Sequence, residues 1–72
     1  MKHPLNHLFK YHAPSKEQLP KYEAIRNAAK EFATVILANT PEGADQDECI
    51  RKIRETCMTA NAAVALNVPI SE

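Results

Sequence analysis

Between Pro20 and Pro69 the chain is interrupted by proline or glycine in only one place, Thr40-Pro41-Glu42-Gly43, which also holds the single glycine of the 72 residues. On either side of that break, apolar residues recur at steps of three and four. Tyr22, Ile25, Ala29, Phe32 and Ile36 mark the first stretch, and Ile50, Ile53, Cys57, Ala60 and Val64 the second. This is the period of a helix with one buried face. Two long helices joined by so short a connection must run antiparallel, so the local solution is an αα-hairpin. The spacing predicts helices over 20–40 and 45–67 in a single domain covering 1–72.

The ends of the two segments carry matching signals. Pro20 suits the first helical position, where its missing N–H costs nothing. Asp45 suits the N-cap of the second helix, with Asp47 and Glu48 in the first turn where the helix dipole favours acids. Asp47–Arg51 and Glu48–Lys52 have the i,i+4 spacing of weak helical ion pairs, and Pro69 closes the element. Residues 1–19 form a polar arm punctuated by Pro4 and Pro14, in which Ser15 and Gln18 have the spacing of a capped turn. The fold class expected is all-α: an N-terminal arm followed by an antiparallel two-helix hairpin.

A chain this short buries only about 60% of its unfolded surface, so it needs support beyond a single core. Cys49 and Cys57 lie eight residues apart on one expected helix, which separates their Cα atoms by about 12 Å, beyond disulfide reach. Neither has neighbours that suggest zinc, and both read as free thiols packed in the apolar stripe. Self-association is the remaining support. Val35 and Leu37 flank the first seam, and Met58, Ala62 and Leu66 fall outside the second. Small residues at Ala28, Ala33, Ala62, Ala63 and Ala65 permit close approach of helices from different subunits.

Nine cations balance nine acids. Zero net charge argues against DNA or RNA as partner, since those require a basic face across the domain. A few clustered cations still suffice for a compact anion. No apolar run approaches the roughly 20 residues of a membrane span, and the N-terminus lacks the pattern of a signal peptide. A soluble, cytoplasmic protein without a membrane partner is expected.

Two groups of residues stand out chemically. Phe9-Lys10-Tyr11-His12 sets aromatic faces beside cations, which suits a flat, anionic, nucleotide-like ligand: the ring stacks on a base while a cation meets phosphate. The alternative is that Phe9 and Tyr11 fold over the core. Arg26 and Lys30 lie four residues apart beside the first seam, where like charges cost rather than help. A shared anion would explain them, as would neutralisation of Arg26 by Glu23. Arg26 is the better phosphate ligand because its planar fork can hold two oxygens.

Other chemistry is poorly supported. His3, His7 and His12 invite a metal reading, but no acid or thiol in the arm completes a ligand set, and Pro4 argues against a helix that would bring His3 and His7 together. No glycine-rich phosphate loop, paired carboxylates or activated nucleophile is present, so neither catalysis nor a cofactor is expected. Asn61, at the edge of the second seam, is expected to hold the arm or to pair across the hairpin.

The order Phe9-Lys10-Tyr11-His12-Ala13-Pro14, Lys21-Tyr22-Glu23-Ala24-Ile25-Arg26 and Thr59-Ala60-Asn61-Ala62-Ala63 resembles the small phage-encoded anti-CBASS cyclic-oligonucleotide sponges, over about residues 3–67. The resemblance implies an all-helical homohexamer that catalyses nothing and sequesters cyclic di- and trinucleotide messengers such as cyclic GMP-AMP in the infected bacterium's cytoplasm. It further implies a dinucleotide held between two subunits. Tyr11 matches the stacking tyrosine and Arg26 the phosphate contact, with His12, Lys10 and Lys30 as neighbours. Where the family often carries arginine near the end of the last helix, this chain reads Ala65-Leu66-Asn67, and Ala28 stands where a hydroxyl can occur. Both departures resemble parts of the family's separate trinucleotide site, so the resemblance carries the dinucleotide activity over and leaves the trinucleotide one open. The rival reading from another class is a helical adaptor or inhibitor that binds a host protein through Met58, Ala62 and Leu66.

Overall fold

The computed structural model describes residues 5–67, and within them the chain is all-helical. A single turn, α1 (Leu5–Leu8), precedes two long helices, α2 (Leu19–Asn39) and α3 (Ala44–Leu66). Each long helix is displaced one residue toward the N-terminus from the expected 20–40 and 45–67. Pro20 consequently occupies the second helical position rather than the first. Its missing N–H is equally harmless there, because the first four helical N–H groups have no partner within the helix. The arm is also less irregular than expected, since α1 closes with a Phe9 N–H to Leu5 C=O bond of 3.1 Å.

The connection is short because its bonds are local. Thr40 leaves the helix with φ −129° and ψ 150°. Its hydroxyl donates back to the Ile36 carbonyl at 2.7 Å, and the Gln46 amide donates to the Thr40 carbonyl and hydroxyl at 3.2 and 3.1 Å. Gly43, not Asp45, is the N-cap of α3, and no side chain caps that end. Asp45 and Asp47 instead lie in the first turn, where they act only through the dipole. Of the expected i,i+4 pairs neither forms; Glu48 reaches Arg51 at i,i+3, with 3.0 Å between Oε1 and Nη1.

The helices pack antiparallel along the anticipated stripes, with Tyr22, Ile25, Ala29 and Ile36 facing Ile50, Ile53, Cys57, Ala60 and Val64, all half-buried. Phe32 departs from its stripe and is 54% exposed, while Ala33 takes the covered position. Both cysteines are free and half-buried.

No described side chain is fully buried, so one copy of the chain has a seam but no core. It exposes 6211 Å², against about 4,450 Å² for a typical folded monomer of this mass. Its radius of gyration is 15.2 Å, where a compact chain of this length has about 11 Å. Val35, Leu37 and Met58 are all at least half exposed. Leu66 is not part of that exposed set; it is half-buried. Among the described residues no helix is long and apolar enough to cross a membrane.

Candidate ligand-binding arm

Helix α3 caps only part of its own C-terminal end. Its last four carbonyls have no partner within the helix, and its last turn carries no basic side chain. Asn67 takes the left-handed conformation, φ 47° and ψ 47°, and its N–H caps the Ala63 carbonyl at 2.9 Å. Asparagine tolerates this region better than most residues.

The arm supplies the other donors. His7 Nε2 lies 2.6 Å from the Leu66 carbonyl and Gln18 Nε2 lies 3.1 Å from the Val64 carbonyl. Because a carbonyl only accepts, the His7 Nε2 must carry the proton. These bonds join residues 59 and 46 positions apart. They fasten the arm across the open end of the hairpin, opposite the Thr40–Gly43 turn.

Within the arm a second clamp closes a small loop. His12 Nε2 donates to the His7 carbonyl at 2.6 Å, and the two imidazoles meet edge to face with centroids 4.5 Å apart at 72°. At the far side, the Ser15 N–H donates to Gln18 Oε1 at 2.9 Å, and the Gln18 N–H returns to the Ser15 carbonyl at 3.1 Å. Only half of the expected capping box forms, since Gln18 rather than the Ser15 hydroxyl provides the side-chain contact.

Phe9, Lys10 and Tyr11 thus sit on a loop pinned at His7 and His12. Phe9 is 84% exposed and Tyr11 82% exposed, so neither folds over the seam. Lys10 is exposed beside them, and His12 is half-buried in the clamp. On α2, Arg26 and Lys30 are both exposed. Among the described residues Glu23 makes no ion pair with Arg26, which leaves the guanidinium free of the neutralisation that the sequence allowed.

Charge is polarised along the hairpin despite its zero sum. Residues 5–30 carry Lys10, Lys16, Lys21, Arg26 and Lys30 against Glu17 and Glu23, a formal excess of three positive charges. Residues 42–48 carry Glu42, Asp45, Asp47 and Glu48 with no cation. An anion is favoured at the arm end and repelled at the turn.

The grooves among the described residues do not gather these side chains. One groove, about 440 Å³, runs between α2 and α3 past Ile25, Phe32, Ile53 and Cys57, with Lys52 its one charged residue. None of Lys10, Tyr11, His12, Arg26 or Lys30 lines it. Such a groove suits apolar side chains and is a poor place for phosphate. The described residues hold no cluster of metal-ligating side chains; His3 and Pro69 lie outside the described residues. Asn61 holds neither the arm nor the opposite helix: its Nδ2 lies 3.9 Å from Cys57 Sγ in its own helix, and its Oδ1 is buried without a partner.

Sequence reasoning missed His7 and Gln18 as the residues that fasten the arm. A signal was present, because a helix ending in Ala63-Val64-Ala65-Leu66 has no side-chain donor for its own last carbonyls. Donors had to come from elsewhere.

The family model described as Acb2/Tad1, hairpin domain, matches residues 1–65 of the chain. The match takes in the arm, α2, all of α3 but Leu66, and Lys10, Tyr11, His12, Arg26 and Lys30. Comparison with curated proteins and with solved structures finds no match.

Proposed function

Because the chain belongs to the Acb2/Tad1 hairpin-domain family, that of anti-CBASS protein 2, we propose that it is a sponge for cyclic dinucleotide messengers. It binds them between subunits and releases them unaltered. The observation that carries this reading is the arm itself: an exposed tyrosine on a loop clamped at both ends, outside the grooves that the described residues of its own subunit form. A site that one copy leaves open is completed by a second.

Surface area supports the assembly. The chain exposes about 1,750 Å² more than a compact monomer of its mass, close to twice the roughly 800 Å² that each partner contributes to a standard interface. Two neighbours per subunit, each met across a two-fold border, make a trimer of dimers, and six subunits of 8.0 kDa give about 48 kDa.

The ligand's symmetry fits a two-fold border. A cyclic dinucleotide has two bases and two phosphates in approximate two-fold relation, and such a border offers two copies of Tyr11 and of Arg26. Stacking contributes about 1–3 kcal/mol per base, and each charge-assisted hydrogen bond about 1.5–3 kcal/mol. Two copies of each give about 5–12 kcal/mol before association costs, so nanomolar binding, roughly −12 kcal/mol net, needs the further contacts that a closed site between subunits supplies. Lys10 and Lys30 add positive potential. His12 contributes by holding the loop shut behind Tyr11 (its Nε2 is already engaged by the His7 carbonyl). In this reading His12, the one imidazole among these groups, serves the loop through its Nε2 bond to the His7 carbonyl, and the messenger is held uncleaved. The messenger is made in the infected bacterium's cytoplasm, and the protein acts there.

The test is to mix protein with cyclic GMP-AMP, remove unbound ligand, denature, and chromatograph what is released. Intact cyclic GMP-AMP is expected in the released fraction. A linear product would mean an enzyme, and no retained nucleotide would favour a helical adaptor that uses Met58 and Ala62.

A further inference from the structure

We infer that His7 is the positioning residue of the binding arm, setting where Tyr11 presents its ring by anchoring the loop to the end of α3. The inference rests on the sponge reading for its ligand, but the anchoring stands on the geometry of this chain alone. Three links run in series. His12 donates to the His7 carbonyl at 2.6 Å, His7 donates to the Leu66 carbonyl at 2.6 Å, and Leu66 ends a 23-residue helix. Beyond the half-buried Leu8 and the Phe9 N–H bond to Leu5 within α1, the loop between them shows no further tie: Phe9 and Tyr11 are more than four-fifths exposed, and Lys10 is exposed. Gln18 holds the far end of the arm on the Val64 carbonyl, but it lies six positions beyond His12. Removing the His7 donor therefore frees the loop as a unit while leaving the helical seam untouched.

A loop that spends only a fraction of its time in the binding position lowers apparent affinity by that fraction. Loss of the His7 anchor is expected to weaken cyclic GMP-AMP binding about tenfold, as for a loop correctly placed a tenth of the time. Glutamine can place an amide N–H near the position of the imidazole Nε2, so His7→Gln retains the donor, whereas His7→Leu retains only bulk.

The experiment compares wild type, His7→Leu and His7→Gln in the full chain. It reads cyclic GMP-AMP affinity by calorimetry, mass by light scattering, and backbone order at Phe9–Tyr11 by the heteronuclear 15N NOE without ligand. The expected result is a loop that loosens in His7→Leu with about tenfold weaker binding, unchanged mass, and recovery of both order and affinity in His7→Gln. Wild-type order at Phe9–Tyr11 in His7→Leu would overturn the inference. So would an affinity loss accompanied by a changed mass that His7→Gln fails to restore, which would mark a purely structural residue. If wild type itself ignores cyclic GMP-AMP, the sponge reading fails, and the NOE still decides whether His7 sets the loop.

Discussion

At the Thr40–Gly43 end, the hairpin turns on bonds between residues four to six positions apart, and acids crowd the turn. At the opposite end the closure is made by side chains 46 and 59 positions away in sequence, and cations predominate. The first end is a connection and nothing more. The second uses the unsatisfied carbonyls of α3 to hold a loop whose two aromatic rings face outward. A helix terminus that caps itself only in part is here the foundation for a binding arm.

Substitutions at the two ends should therefore separate affinity from stability. The largest effect is expected for Tyr11→Ala. Removing a stacking face from both sides of a symmetric ligand should lower cyclic GMP-AMP affinity about a hundredfold or more, while mass and ligand-free melting stay put because the ring is 82% exposed. Unchanged affinity by calorimetry would remove Tyr11 from the site. Arg26→Ala should cost about tenfold or more and flatten the dependence of log Kd on log salt. An identical salt slope would mean that Arg26 touches no phosphate.

Smaller effects probe the contrast from the stability side. Asn67→Gly should raise stability by about 0.5–1 kcal/mol, since glycine enters the left-handed region without the cost that a Cβ imposes. A lower melting temperature would show that the Asn67 side chain does more than tolerate its φ of 47°. At the turn, Gln46→Ala removes two long, exposed hydrogen bonds. A loss of about 0.5 kcal/mol or less is expected, with cyclic GMP-AMP affinity as in wild type. A change in affinity there would break the separation between the two ends.

Much of the hairpin was legible in the sequence because its determinants are local and periodic. The seam residues, the break at Thr40-Pro41-Glu42-Gly43 and the antiparallel arrangement all follow from spacing alone. Cap details were not legible, and Asp45 lost the N-cap to Gly43 because the chain enters α3 directly from the turn. Phe32 could not be placed either, since a helical stripe does not say which of two neighbours, Phe32 or Ala33, the partner helix covers. The arm was legible as chemistry but not as structure. Phe9-Lys10-Tyr11-His12 announces rings and cations, whereas the bonds from His7 and Gln18 depend on which carbonyls the far helix leaves open. Asn61 shows the same limit: its position at the seam's edge suggested a long-range partner, and the structure gives it only Cys57, one turn away.

Native mass spectrometry of the protein with cyclic GMP-AMP tests most directly whether the messenger is held between subunits. A species near 48 kDa, six times the chain's 8.0 kDa, retaining intact cyclic dinucleotide is the predicted result. An 8.0 kDa chain that carries the nucleotide by itself, or an assembly that carries none, would contradict it.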